Sequence, residues 1–191
     1  KLVYSLLLLA MCGANMALGS EALVLEDIFD GSTLGKATGV TWAPGKDGQA
    51  VVLDAPTDSI EYPADRFGLR AGRIEFDLMF PQAIPNDHKN LCLFSDVGAG
   101  SAFSGAIIAY FQKDSSRLEF GIFDSGFRWL YSKTTDWKPG QWYHLALAYG
   151  PGGMRLEVNG TLEASNNYTG GLANKPKKLG FNDPYMDSPP V

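Results

Sequence analysis

Residues 73–80 alternate without a break, with Ile74, Phe76, Leu78 and Phe80 set against Arg73, Glu75, Asp77 and Met79. Successive side chains on an extended chain point to opposite faces, so this period of two predicts a strand with one face on a core. Gly72 opens that strand and Pro81 ends it. A second stretch, Lys138 to Gly160, spells out turn, strand, turn, strand, turn. Pro139-Gly140 starts it, because proline presets φ and glycine tolerates positive φ. Trp142, His144, Ala146 and Ala148 then fall on one side of an extended segment, and Tyr143, Leu145, Leu147 and Tyr149 on the other. Gly150-Pro151-Gly152-Gly153 makes a hairpin loop, after which Met154, Leu156 and Val158 alternate with Arg155, Glu157 and Asn159. Asn159-Gly160 is a two-residue turn signal of the I′ kind, which predicts a third strand from Thr161.

The remaining chain reads the same way. Ala22–Asp30, Gln49–Leu53, Ser59–Tyr62 and Leu91–Phe94 are expected strands, with a glycine-rich loop between Gly31 and Gly48. Ala106–Phe111 and Arg117–Phe123 form an expected hairpin, and a second crosses Asp124-Ser125-Gly126 into Phe127–Ser132. Residues 81–90 and 95–101 are polar, proline-containing or glycine-rich, and read as loops. No helix is expected beyond a turn near Asp65-Arg66-Phe67, and no repeat is present. Many short strands with regular turns predict an all-β fold, a jelly-roll sandwich of two antiparallel sheets.

Composition agrees. The 191 residues include 22 glycines and 11 prolines, are 45% hydrophobic and only 19% charged. That length suffices for one domain with a sizeable core. The formal net charge is −5, and the one basic cluster is Lys175-Pro176-Lys177-Lys178. A surface that tracks phosphates needs clustered Lys and Arg, so a nucleic-acid partner is excluded.

Residues 1–19 stand apart. Lys1 precedes an apolar run from Leu2 to Met11, and Ala17-Leu18-Gly19 offers small residues at a cleavage position before Ser20. The run is short for a transmembrane span, so the pattern reads as a secretory signal peptide. The expected organisation is a leader over 1–19 and one domain over 20–191, placed outside the cytoplasm as a secreted, periplasmic or cell-surface protein with no membrane span in its mature form. A lipidated leader ending at Cys12 is disfavoured because Met11 is not small. Cleavage would leave Cys92 as the one cysteine, in the apolar run Leu91 to Phe94, where a buried core thiol is the expected role.

The segment Gly140-Gln141-Trp142-Tyr143-His144-Leu145-Ala146, its glycine-rich loop, then Leu156-Glu157-Val158-Asn159-Gly160, resembles the laminin G-like branch of the concanavalin A-like lectin/glucanase superfamily. Lys178-Leu179-Gly180 is similar to the strand that follows in that family. The resemblance covers roughly residues 23–183 and implies the same jelly roll. It also implies a closing strand of the type G-x-I-D-E-V-R after Gly180. The chain instead runs through Phe181-Asn182-Asp183-Pro184 to Val191. A domain lacking that last strand, truncated at its C-terminus, is therefore expected, and an unpaired sheet edge is a liability.

The superfamily holds lectins, adhesion modules and glycosidases, so function has to be argued from sites. Retaining glucanases of the superfamily set three acidic side chains at i, i+2 and i+4 on one strand face, the pair that acts lying about 5 Å apart across the sugar bond. Here Glu75 and Asp77 are followed by Met79, which cannot transfer a proton. No catalytic residue is expected, and Glu75 and Asp77 read as solvated carboxylates on the outer face. Calcium is the one ion the resemblance implies, held by loop oxygens. Its candidate ligands are Asp96, Asn182 and Asp183, for each of which turn capping is the competing role. An exposed ring can stack on a pyranose face, which makes Trp129 and Tyr131, on one side of a strand, and Trp137 candidate ligand-binding residues. Trp142 and His144 sit in the family motif and read as core and structural respectively. His88 and His144 are too isolated to indicate zinc. Asn159-Gly160-Thr161 and Asn167-Tyr168-Thr169 match the glycosylation pattern, which matters only in a eukaryotic secretory host.

The expected function is a secreted, non-catalytic module that binds a polysaccharide, a glycoconjugate or an extracellular protein. Two alternatives stand beside it: a glycoside hydrolase or polysaccharide lyase relative, with Glu75 and Asp77 as remnants of its site, and a structural protein-interaction module of a larger cell-surface protein.

Overall fold

The structure is a computed structural model that describes residues 2–11, 22–55, 57–63, 67–84, 90–96, 107–113, 115–174, 176 and 178–182. The described residues form strands β1 (Leu2–Met11), β2 (Ala22–Asp27), β3 (Lys36–Thr38), β4 (Thr41–Pro44), β5 (Gln49–Leu53), β6 (Ser59–Pro63), β7 (Gly72–Met79) and β8 (Leu91–Ser95). They continue with β9 (Ile107–Phe111), β10 (Leu118–Phe123), β11 (Phe127–Tyr131), β12 (Trp142–Tyr149), β13 (Met154–Val158), β14 (Thr161–Asn166) and β15 (Lys178–Phe181). The first sheet runs β14-β13-β12-β7-β1-β5-β4, with β2 added against β1, and the second runs β11-β10-β9-β8-β15-β6-β3. Every pairing is antiparallel. This is the all-β sandwich that the alternation predicts.

The two sheets meet through the apolar rows that period two supplies. β7 and β12 pair over their full length, so that Phe76 lies opposite Leu145 and Ile74 opposite Leu147, all wholly buried. Phe76 packs edge-on against Phe94 of β8, with ring centres 6.2 Å apart, and against Phe181 of β15 at 5.7 Å. Those contacts bind one sheet to the other at the centre of the core, and each such ring contributes about 1.5–3 kcal/mol by leaving water. Asn159 takes φ 51° and Gly160 φ 74°, the left-handed pair that a I′ turn demands, and β14 starts at Thr161 as expected.

One feature differs from the sequence expectation. The loop expected between Gly31 and Gly48 contains β3 and β4, which lie in different sheets. Gly39 carries the chain from one sheet to the other with φ 69°. Leu2–Met11, the apolar run of the expected leader, is a strand inside the first sheet, between β7 and β5. Among the described residues, no helix is long and apolar enough to cross a membrane.

Candidate functional site

The outer face of the second sheet gathers the aromatic candidates. In the β10–β11 register Phe127 lies opposite Phe123, Trp129 opposite Gly121 and Tyr131 opposite Glu119. Glu119 in turn lies opposite Tyr110 of β9. Because paired residues share a face, Tyr110, Glu119, Phe123, Phe127, Trp129 and Tyr131 form one patch beside the sheet edge at β11. Phe127 and Trp129 stack with ring centres 4.6 Å apart, and Tyr110 meets Trp129 edge-on at 5.8 Å. Gly121 makes room for the indole: a Cβ there would stand 2.2 Å from the Trp129 ring. Trp129 is therefore half-buried, and Tyr131, 45% exposed, is the open ring of the patch.

Beneath these rings lies a carboxyl. Glu119 is buried, accepts a hydrogen bond from the Tyr110 hydroxyl, and its Oε1 has no hydrogen-bond partner among the described residues. Burial raises its pKa, against the opposing pull of that hydroxyl and of Arg117. The phenol of Tyr110 is also raised, by burial and then by Glu119.

The outer face of the first sheet carries a different constellation. His144 lies opposite Asp77 across the β7–β12 pairing. Its Nε2 is 3.0 Å from Glu75 Oε2 and its Nδ1 3.2 Å from Asp77 Oδ1. Lys46 donates to Asp77 Oδ1 at 3.0 Å, and Arg73 donates to both Glu75 and Glu157. Burial works against the charge of both carboxylates, but His144 and Lys46 hold Asp77 below its ordinary range, and Arg73 and His144 do the same for Glu75. The Asp77 hydrogen bond raises His144 above the usual imidazole value, with Glu75 adding to it. Beside this cluster, Trp142 packs with Met79, Ala43, Ala50 and Val52 into a small apolar patch.

Several site expectations change. Trp137 is core and presents no ring face to a ligand. Its indole donates to Ser116 O at 2.8 Å, and it packs edge-on against Phe111 at 5.0 Å and Tyr143 at 4.8 Å. The irregular stretch from Ser132 to Lys138 places the ring in the core, 4% exposed. Trp142, expected in the core, lies on the opposite side of β12 from the buried Tyr143, because both Trp142 and His144 belong to the outward set of the alternation. Glu75 and Asp77 are on the outer face, but neither is the freely solvated carboxylate expected: Glu75 is half-buried. Asp77 is buried, and each has a cationic partner.

The expected calcium ligands serve the loops. Asp96 Oδ1 accepts the Ile107 amide at 3.0 Å. The Asn182 side-chain amide donates to Ala55 O and Asp58 O at 3.1 and 2.8 Å, with φ 55°. Asp183 and His88 lie outside the described residues. Among the described residues, no three His, Cys, Asp or Glu side chains converge as a metal site would need.

Comparison with known proteins supports the fold. The chain is similar to domain 4 of AbnA, a GH43 extracellular arabinanase from Geobacillus stearothermophilus solved with arabinotriose, at 18% identity and TM-score 0.53. The match covers 75% of this chain and 66% of that one, just under two thirds of its length. It is also similar to the carbohydrate-binding module CBM66 from Bacillus subtilis, at 14% identity and TM-score 0.42, over 76% of this chain and 85% of that one. No curated protein matches the sequence. The laminin G-type family model matches residues 82–185, more than half of the chain, which therefore belongs to the Concanavalin A-like lectin/glucanases superfamily.

Proposed function

We propose that this chain is an exported, non-catalytic carbohydrate-binding module that takes a polysaccharide or glycoconjugate on the aromatic patch of the second sheet. One observation carries the reading: Trp129 and Tyr131 stand side by side on the outer face of an edge strand, where Tyr131 is exposed and Trp129 is braced by Phe127 and Gly121. Aromatic faces bind sugar rings through apolar contact, and rings already held in place lose little freedom when they do so. An edge position leaves room for a long chain to run past. The membership of the superfamily is compatible with this role and with others.

The first sheet supports the non-catalytic side of the reading. A glycosidase acid must keep its proton near neutral pH. Glu75 and Asp77 are instead held ionised by Arg73, Lys46 and His144, and Met79 stands where a third carboxyl would be.

Affinity electrophoresis through gels containing arabinan, laminarin, agar or alginate tests the proposal. Retardation by one glycan, relieved by Tyr131→Ala and Trp129→Ala with the fold intact, is expected. Retardation unchanged by either substitution would move the site elsewhere, and no retardation in any gel would favour a protein-contact module. Turnover of a polysaccharide abolished by Glu75→Gln would replace the reading with an enzymatic one.

A further inference from the structure

We propose that Glu119 is the specificity-determining polar contact of the aromatic patch. Its unpartnered Oε1 accepts a hydrogen bond from a sugar hydroxyl, so the ligand is a neutral, hydroxyl-rich glycan and not an acidic one. This selectivity rests on the sugar-binding reading of the patch and narrows it to a class of glycan.

Elsewhere in the sandwich, buried polar side chains have their hydrogen bonds completed by the chain itself. Asp27 accepts from Thr33, the Leu34 amide and Tyr62, and Asp58 accepts the amides of Asp54 and Ala55. Ser132 accepts the Leu118 amide and donates to Thr134 O. Among the described residues, Glu119 Oε1 is the one buried side-chain oxygen or nitrogen left without a partner. Glu119 is only 3% exposed, and its other oxygen, Oε2, accepts the Tyr110 hydroxyl. The next two positions on that face of β10, Gly121 and Phe123, are apolar. A buried acceptor that folding leaves unpaired costs stability, and a partner arriving from outside accounts for keeping it.

The strand register shows where that partner comes from. Glu119 stands between Tyr110 and Tyr131 in one cross-strand row, and the next row holds Trp129 opposite Gly121. A sugar stacked on Tyr131 or Trp129 therefore lies within one row of the carboxyl. β11 is the last strand of the second sheet, and Tyr131 on it is 45% exposed. Tyr131 is thus the neighbour with room to turn aside as a sugar edge approaches Oε1. Burial and then the Glu119 charge raise the Tyr131 phenol, as two groups so close together should show. The other charged group acting on the carboxyl is Arg117, two residues earlier on the chain.

Ring stacking and a buried acceptor do different work. Stacking supplies contact that many sugars can make, whereas a ligand lacking the hydroxyl donor leaves the buried oxygen unpaired and is rejected. A uronate or sulfate group at that point would set acceptor against acceptor and, with Glu119 ionised, charge against like charge.

The test is the mobility of the chain through gels of increasing arabinan or laminarin and, in parallel, alginate, at mildly alkaline pH. Retardation by a neutral glycan and free passage through alginate are expected. Glu119→Gln keeps the shape but removes the charge, and should weaken neutral retardation about tenfold while narrowing the preference over alginate. Tyr110→Phe with Glu119→Leu removes both buried partners. It is expected to melt no lower than the parent chain and yet to lose the neutral glycan. A purely structural carboxyl would give the reverse, a lower Tm with affinity intact in the folded material. The proposal is overturned if either variant, folded, keeps the parent retardation, or if alginate retards the parent chain more than the neutral gels do. Should Tyr131→Ala and Trp129→Ala still relieve retardation in that case, the sugar-binding reading stands without Glu119. No retardation in any gel would overturn both.

Discussion

His144 and Asp77 face each other across two paired strands, with Nδ1 3.2 Å from Oδ1, and Lys46 reaches the same oxygen at 3.0 Å. One carboxylate oxygen therefore serves two cations from different parts of the chain. Its titration sets a pH window for stability. His144 is raised above 6.5, so its contribution is complete below that value and is lost as pH rises through the raised pKa. Asp77 and Glu75 are lowered from 3.8 and 4.5, so theirs is present above those values and is lost as pH falls through the lowered pKa. Glu119, raised by burial, works the other way from Asp77 and Glu75: its contribution is complete below 4.5 and is lost as pH rises from there through the raised pKa. The expected Tm maximum lies between the carboxylate and imidazole ranges. His144→Gln should flatten the decline above neutrality, and a melting series from acid to alkaline pH checks it.

Asp77→Asn should cost about 1–2 kcal/mol. Breaking a buried ion pair costs more than that, but Lys46 is 43% exposed, so solvent screens its share. The same substitution should lower the His144 pKa toward 6.5 or below, which imidazole NMR titration would read. An unchanged His144 pKa would mean that Asp77 does not hold the ring.

Gly121→Ala should displace the Trp129 indole, since the new methyl would stand 2.2 Å from it. Overpacking of this kind costs about 1–3 kcal/mol. A red-shifted tryptophan emission together with weaker glycan retardation is expected. Full retardation with a displaced ring would show that Trp129 is not part of the site.

Trp137→Ala should destabilise the domain by about 3–5 kcal/mol, the usual cost of removing a large buried aromatic. Folded material should keep its glycan affinity. Denaturant melts and gel retardation measured on the same preparation separate the two effects.

EDTA should leave the Tm unchanged, because Asp96 already accepts the Ile107 amide at the start of β9 and the Asn182 side chain already donates to the carbonyls of Ala55 and Asp58. A fall of several degrees, restored by calcium, would show that an ion is held.

The alternation at Ile74, Phe76 and Leu78 was enough to read β7, and Asn159-Gly160 enough to read the β13–β14 turn, because both signals are local. β3 was not legible: its three residues are all exposed, so no apolar face marks it. The charged cluster was hidden for another reason. His144 is 67 residues from Asp77 and 69 from Glu75, and pattern along the chain says nothing about which strands will pair. Trp142 could have been placed. Its position in the alternation, in step with His144, sets it on the outer face. Trp137 sits in an irregular stretch without a period, where a large ring offers no indication of which way it turns.

Cys92 lies opposite Tyr110 in the β8–β9 register, on the side of the second sheet that carries the aromatic patch, and its thiol is buried with Sγ 3.9 Å from Ala109 O. It acts as a clock for that surface. With Cys12 replaced by serine, a thiol reagent can reach this buried sulfur only as often as its surroundings open, so its rate of modification measures how frequently that part of the second sheet breathes. A glycan chain seated across Tyr131 and Trp129 would slow that clock without touching the sulfur.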